Sequence, residues 1–157
     1  MTKVCFITPY IDEHEDDVRT LLDEHSLDLP GNQLPPIGGI ALAKDNESGT
    51  ISIIGYVGGY LTYGDNSFVE ILAVADDDKY NGVGLQLALY IGSTLKNRGA
   101  KNVQWFIEAD SKFLIWHKLI LGEKAAASLT PMYVSGVSLD YMCHKLKELT
   151  DDRQEKV

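Results

Sequence analysis

The stretch from Ser67 to Gly84, SFVEILAVADDDKYNGVG, constrains this chain more than any other. A strand-like run over 68–74 ends in three aspartates, and Lys79-Tyr80-Asn81-Gly82-Val83-Gly84 follows before the pattern turns helical at Val83. A strand, a glycine-bearing turn and a helix in that order aim several backbone N–H groups and the positive end of a helix dipole at one spot. Such a spot binds phosphate without basic side chains. The two glycines fit because backbone approaches a ligand closely only where no Cβ intervenes. One glycine pair also fits an ordinary strand-to-helix turn, so the motif needs its context.

That context is a chain of 157 residues, 45% hydrophobic, which reads as one domain over 1–148 with a charged tail at 149–157. No apolar run reaches the ~20 residues of a membrane span, and the start, Met1-Thr2-Lys3-Val4-Cys5-Phe6, is too soon polar for a secretory leader. Cys5 and Cys143 read as half-buried free thiols of a reducing cytoplasm. The net charge of −9 is uneven: residues 1–100 carry 6 basic and 15 acidic side chains, and residues 101–157 carry 8 of each. Nucleic acid is disfavoured as a partner, because its backbone calls for clustered Lys and Arg. A cationic small molecule or a lysine-bearing partner is favoured instead, although an acidic surface also serves solubility alone.

Periodicity predicts strands over 4–8, 40–43, 51–63, 68–75, 103–107, 125–130 and 137–144. Helices are predicted over 12–29, from 83 to 98 with Gly99 as the stop, and over 111–121 with Gly122 as the stop. In the first helix Ile11, Val18, Leu21, Leu22 and Leu29 fall near one face, and in the second Val83, Leu87, Ile91 and Leu95 recur every four residues. Gly55, Gly58 and Gly59 inside a strand point to a bulge or a close neighbour above the sheet. The strand–helix–strand unit over 67–107 implies a parallel pair joined by a right-handed crossover. The remaining strands can pair antiparallel. The class is therefore α+β, or α/β with a mixed six- to seven-stranded sheet and helices on both faces.

Element order and motif together resemble the GNAT superfamily of acetyl-CoA-dependent N-acetyltransferases. That family's Gln/Arg-x-x-Gly-x-Gly/Ala motif is matched by Lys79, Gly82 and Gly84, with Val74 at the family's spacing before it. The resemblance runs over nearly the whole chain, including 141–146, which is similar to the family's last strand. It implies that acetyl-CoA is the co-substrate, with no metal. The pyrophosphate would lie on the N–H groups of Asn81, Gly82, Val83 and Gly84, with Lys79 and Tyr80 alongside. The pantetheine arm would run beside Ala73, Val74 and Ala75, where two parallel strands splay, and a free N–H near Val74 would face the thioester oxygen.

Three departures stand out. Lys79 keeps a charge but lacks a flat hydrogen-bonding fork, Asp76-Asp77-Asp78 crowds negative charge beside the phosphate spot, and the stretch Ile115-Trp116-His117-Lys118-Leu119 has no tyrosine where the family often carries one.

Transfer to an amine needs a base, since an ammonium with a pKa of about 10.4 is unreactive at neutral pH. Glu70 is the candidate base, because some family members carry a catalytic glutamate in this strand. Whether it faces the site is open, since a bulge would reset the alternation. His117, seven residues after Asp110, the counterpart of the family's helix-start Asn, is the candidate proton donor to the thiolate. A one-residue shift puts Trp116 there instead. Tyr56, Tyr60 and Tyr63 sit in a strand whose members often line the acceptor pocket in the family; cross-strand packing is the favoured reading of them, with a proton donor among them as the alternative. His14, His25 and His144 show no metal-ligand spacing.

The expected activity is acetyl transfer to a primary amine by direct attack in a ternary complex, with a homodimer also admissible. Two other readings stay open. One is a GNAT-fold module that binds a CoA ester or a protein without catalysis. The other is a nucleotide-binding regulator, for which Glu108-Ala109-Asp110 would have to supply the acidic residue. Amino acid, polyamine, antibiotic and protein lysine all remain open as acceptor.

Overall fold

The computed structural model describes residues 3–75, 82–107 and 132–155. Among these, six strands form one sheet in chain order: β1 (Lys3–Pro9), β2 (Ile37–Asp45), β3 (Ile51–Leu61), β4 (Asn66–Val74), β5 (Asn102–Ile107) and β6 (Met132–Ser138). All neighbours pair antiparallel except β4 and β5, which are parallel. Helix α2 (Val83–Asn97) joins that parallel pair, as a crossover must. The mixed α+β sheet carries helices on both faces, in agreement with the sequence.

Two apolar clusters sit on the two faces. On one, Val83, Leu87, Ile91 and Leu95 of α2 pack with Ala41, Val57, Val74 and Val103 of the sheet, and with Leu139, Met142 and Leu146. On the other, Val18, Leu21 and Leu22 of α1 (Glu15–Glu24) pack on Ile40, Tyr56, Ile71 and Ala73. The four-residue spacing read from the sequence is the buried stripe of α2. Among the described residues no helix is long and apolar enough to cross a membrane, and Cys5 and Cys143 are half-buried thiols in no disulfide.

Three expectations need correction. The first helix is short: Asp12–His14 is a 3-10 turn, α1 ends at Glu24, and Ile11 is exposed. Its stop is a left-handed Ser26 (φ 53°), with Leu27 N–H bonded to Leu22 O and Ser26 N–H to Asp23 O. This is a Schellman ending on a residue other than glycine, which no local pattern announces. Secondly, the expected last strand, 137–144, is a strand only to Ser138. From Leu139 the chain is helix α3 (Leu139–Glu155), and the stretch 141–146 lies inside it. The β-prone Tyr141-Met142-Cys143 run is overridden because Leu139, Met142 and Leu146 share a helical stripe that α2 buries. Helix α3 continues through most of the tail read as beginning at 149. Thirdly, Tyr63 lies beyond β3 and is almost fully exposed. The helix expected over 111–121 and the strand over 125–130 lie outside the described residues.

The glycines of β3 serve close approach. A Cβ on Gly55 would sit 2.7 Å from Leu87 Cδ1 of α2, and one on Gly59 would collide with the Phe68 carbonyl oxygen of β4. Backbone cannot yield as a side-chain tip can. Gly59→Ala is therefore expected to cost about 1–3 kcal/mol by overpacking, and Leu146→Ala about 2–5 kcal/mol by the cavity it leaves in the α2–α3 contact. Urea unfolding of the two variants measures both.

Candidate active site

The parallel pair is pinned at one end and open at the other. At its start the buried Ser67 hydroxyl donates to Asn102 O at 2.8 Å, and Asp65 O accepts from Lys101 N–H and Asn102 N–H. The ladder then pairs Asn66 with Asn102 through Val69 with Trp105 and stops. Strand β4 runs five residues further, to Val74, held on its other side by β3. Ala75 N–H donates to Ile54 O at 2.7 Å, so by alternation Val74 turns its own N–H away from β3, toward the β5 side. Among the described residues the pairing of β4 with β5 ends at Val69, short of Val74.

A β-bulge marks where the splay begins. Gly58 pairs with Ile71 and Gly59 with Val69, leaving Glu70 as the extra residue of β4. The bulge resets the alternation. Val69, Leu72 and Val74 pack on the α2 side, Ile71 and Ala73 on the α1 side, so two consecutive residues, Glu70 and Ile71, occupy the α1 side of the turn. The facing of Glu70, open in the sequence, is thus decided by its neighbours. Glu70 is half-buried, and desolvation raises its carboxyl above the ordinary carboxylate range.

Beyond Ala75 the chain re-enters the described residues at Gly82, the N-cap of α2, which adopts φ 92°, a left-handed conformation that favours glycine. No side chain caps the helix, and the first bond back to the cap is Gln86 N–H to Gly82 O. The N–H groups of Val83, Gly84 and Leu85 therefore have no intrahelical partner, and the helix holds no acidic residue in its first turn. Of the sequence-derived cofactor set, Val74 and Val83 share one apolar cluster with Ala75 packed against it, whereas Ala73 belongs to the cluster under α1. Lys79, Tyr80, Asn81, Asp110 and the candidate proton donor His117 lie outside the described residues. Among the described residues no group of three or more His, Cys, Asp and Glu side chains is gathered as a metal requires.

The α1 side of the bulge holds Tyr56, which the sequence favoured as packing. Tyr56 is fully buried, its ring edge-on to Tyr10 with centroids 5.9 Å apart. A Cβ on Gly38 would lie 3.2 Å from its Cε1, and one on Gly58 2.6 Å from its hydroxyl and 2.8 Å from Pro35 Cγ. The ring lies across two glycines, under Pro35. Arg19 of α1 holds the covering loop, donating to Asn32 Oδ1 and Asn32 O while also bonding Glu15. Burial, then the neighbouring Tyr10 and Glu70, push the Tyr56 hydroxyl up, so it stays a neutral donor. Tyr60 stacks against Phe68 across the strands, which is packing.

A scan against protein-family models finds no match to this chain, and a search of curated protein sequences finds none. Solved structures do match in shape. The ribosomal-protein-S18-alanine N-acetyltransferase of Escherichia coli superposes with a TM-score of 0.59 at 15% identity, over 76% of this chain and 77% of that one. A GNAT-family N-acetyltransferase from Escherichia coli, solved with CoA, gives 0.58 at 17% identity over 90% and 86%. The aminoglycoside 6'-N-acetyltransferase of Enterococcus faecium gives 0.53 at 15% over 81% and 77%. The fold is that of the GNAT N-acetyltransferases.

A carboxyl raised on folding binds its proton more tightly in the folded state. It therefore contributes stability at pH below its unfolded value, and that contribution is lost as pH rises through the folded one. Glu70→Gln, which mimics the neutral form, is expected to melt at a higher temperature than wild type at pH 7 and at the same temperature at pH 3.5. Calorimetric melts at the two pH values check the sign.

Proposed function

We propose that this protein is an acetyl-CoA-dependent N-acetyltransferase that moves an acetyl group to a primary amine by direct attack in a ternary complex. The observation that carries the reading is the end of the described β4–β5 pairing at Val69, with the Val74 N–H turned away from β3 on the strand that leads to the uncapped start of α2. A thioester's pantetheine arm completes the hydrogen bonding of an extended backbone edge, and a pyrophosphate suits N–H groups ringed by the helix dipole. In this reading the Val74 N–H donates to the thioester oxygen as negative charge develops there, a contribution on the order of 3 kcal/mol.

Glu70 is the proposed base. Its raised pKa brings it toward the pH at which an ammonium must be relieved of a proton. The amine nitrogen forms the new C–N bond, the C–S bond breaks, the nitrogen's proton passes to Glu70, and the thiolate takes a proton from solvent or from His117. Asp110, Lys79, Tyr80 and Asn81 remain proposed contacts of the CoA moiety.

Proteins of this fold take acceptors as different as a ribosomal-protein alanine and an aminoglycoside, so charge is the guide to the acceptor. From Asp12 to Asp28 this chain has eight acidic side chains against one arginine, and α1 covers the Glu70 side of the sheet. A cationic amine is the proposed acceptor, concentrated by that field. Its kcat/KM should fall with ionic strength, and Asp16→Asn/Asp17→Asn should flatten the salt dependence. A rate indifferent to both would detach α1 from acceptor capture.

Acetyl-CoA at about 100 times its Kd should raise the unfolding free energy by about 2.7 kcal/mol, and Gly82→Asp, which adds a side chain and a like charge at the phosphate spot, should abolish the shift. Glu70→Gln should lower turnover at neutral pH at least about tenfold with acetyl-CoA affinity unchanged, and raised pH should partly restore it. Stabilisation by acetyl-CoA without turnover on any amine would instead mark a CoA-ester-binding module.

A further inference from the structure

Among the described residues, Tyr56 is a fully buried side chain on the α1 side of the sheet whose polar atom the chemistry above leaves unused. It is fully buried, and its hydroxyl has no hydrogen-bond partner among the described residues. A phenylalanine would fill the same volume without a polar atom to satisfy, so an unpartnered hydroxyl is a cost unless something polar meets it. Its location says what that is. The hydroxyl lodges against Gly58, whose cross-strand partner is Ile71, and the next residue along β4 is the bulged Glu70. Glu70 lies near enough that its charge raises the Tyr56 hydroxyl, yet the two make no direct hydrogen bond.

We infer that Tyr56 is a positioning residue for Glu70, its hydroxyl donating to a single water that in turn donates to the Glu70 carboxylate. Three features build the site for this role. Gly38 and Gly58 leave the space in which the ring lies, and a Cβ on Gly58 would press on the hydroxyl. Pro35 and the Arg19–Asn32 contact close the outer side. The bulge turns Glu70 to the same face. The other titratable or charged groups facing this corner are Tyr10 beyond β1, Asp12 and Glu15 at the entry to α1, and Arg19. Glu15 and Arg19 neutralise each other by their ion pair. A donor offered to the ionised carboxylate lowers its pKa against the desolvation that raises it. Tyr56 thereby keeps Glu70 ionised and aimed while it stays partly dry.

The inference rests on the reading of Glu70 as the base, and its decisive test does not require turnover. The Glu70 carboxyl carbon is titrated by 13C NMR in the full chain, without acyl donor or amine, in wild type and in Tyr56→Phe, with Glu70→Gln supplying the resonance assignment. The midpoint is expected to rise in Tyr56→Phe and to stay put in Tyr10→Phe. An unchanged or lower midpoint in folded Tyr56→Phe overturns the inference. If that variant does not fold, 3-fluorotyrosine placed at position 56, a near-isosteric and stronger donor, is expected to lower the midpoint, and no change overturns the inference. With an amine acceptor, kcat of Tyr56→Phe should fall about tenfold at neutral pH, with KM for acetyl-CoA unchanged and the acid limb of the profile displaced upward. A displaced midpoint in a protein that acetylates nothing would leave the Tyr56–Glu70 coupling standing and remove the acetyltransferase reading. Turnover with an undisplaced midpoint would do the reverse.

Discussion

The parting of β4 from β5 after Val69 is the constraint on which the site depends. A parallel pair normally pairs for as long as both strands last, because an unmatched N–H in a sheet is a lost hydrogen bond. Here the pair is fastened at its base by Ser67 and by the two N–H groups that Asp65 O accepts, and it opens where Glu70 is inserted as an extra residue. The insertion does two things together. It ends the described pairing with β5, and it moves a carboxylate onto the face opposite α2. The two share one cause.

The two faces of the sheet then divide the work. The α2 side supplies stability: α2 and α3 close over Val57, Val74 and Val103, and Gly55 lets Leu87 come down close on the strand. The α1 side is thinner and more polar at its rim, with Tyr10, Tyr56 and Glu70 beneath a loop held by Arg19. Desolvation of Glu70 and the unpartnered Tyr56 hydroxyl are both costs to the fold. Sites tuned for reaction commonly carry such costs, which the packing elsewhere offsets.

Much of this was legible in the residues. The β–turn–α order around Gly82 and Gly84, the stripe Val83-Leu87-Ile91-Leu95, the stop at Gly99, the parallel unit and the glycine signal in β3 are all local patterns, and local patterns survive folding when the core agrees with them. Where the core disagreed, the reading failed. Tyr141-Met142-Cys143 looks like strand, but Leu139, Met142 and Leu146 find burial only as a helix against α2. Ser26 ends α1 in a conformation usually left to glycine. Tyr56 could not be told from Tyr60 and Tyr63, since nothing in its sequence neighbourhood says that Gly38, from another strand, lies beneath its ring.

The sequence by itself determined the class of the fold, the glycine-bearing start of α2 and the presence of a carboxylate in the strand before it, because each depends on residues within a turn or two of one another. Only the tertiary structure decided which way Glu70 faces, where β4 loses its partner and what surrounds the Tyr56 hydroxyl. Side-chain alternation is a property of one strand, but a bulge is a mismatch of count between two. Which residue is extra is settled by the strand alongside, and here Gly58 and Gly59 of β3 leave that place to Glu70.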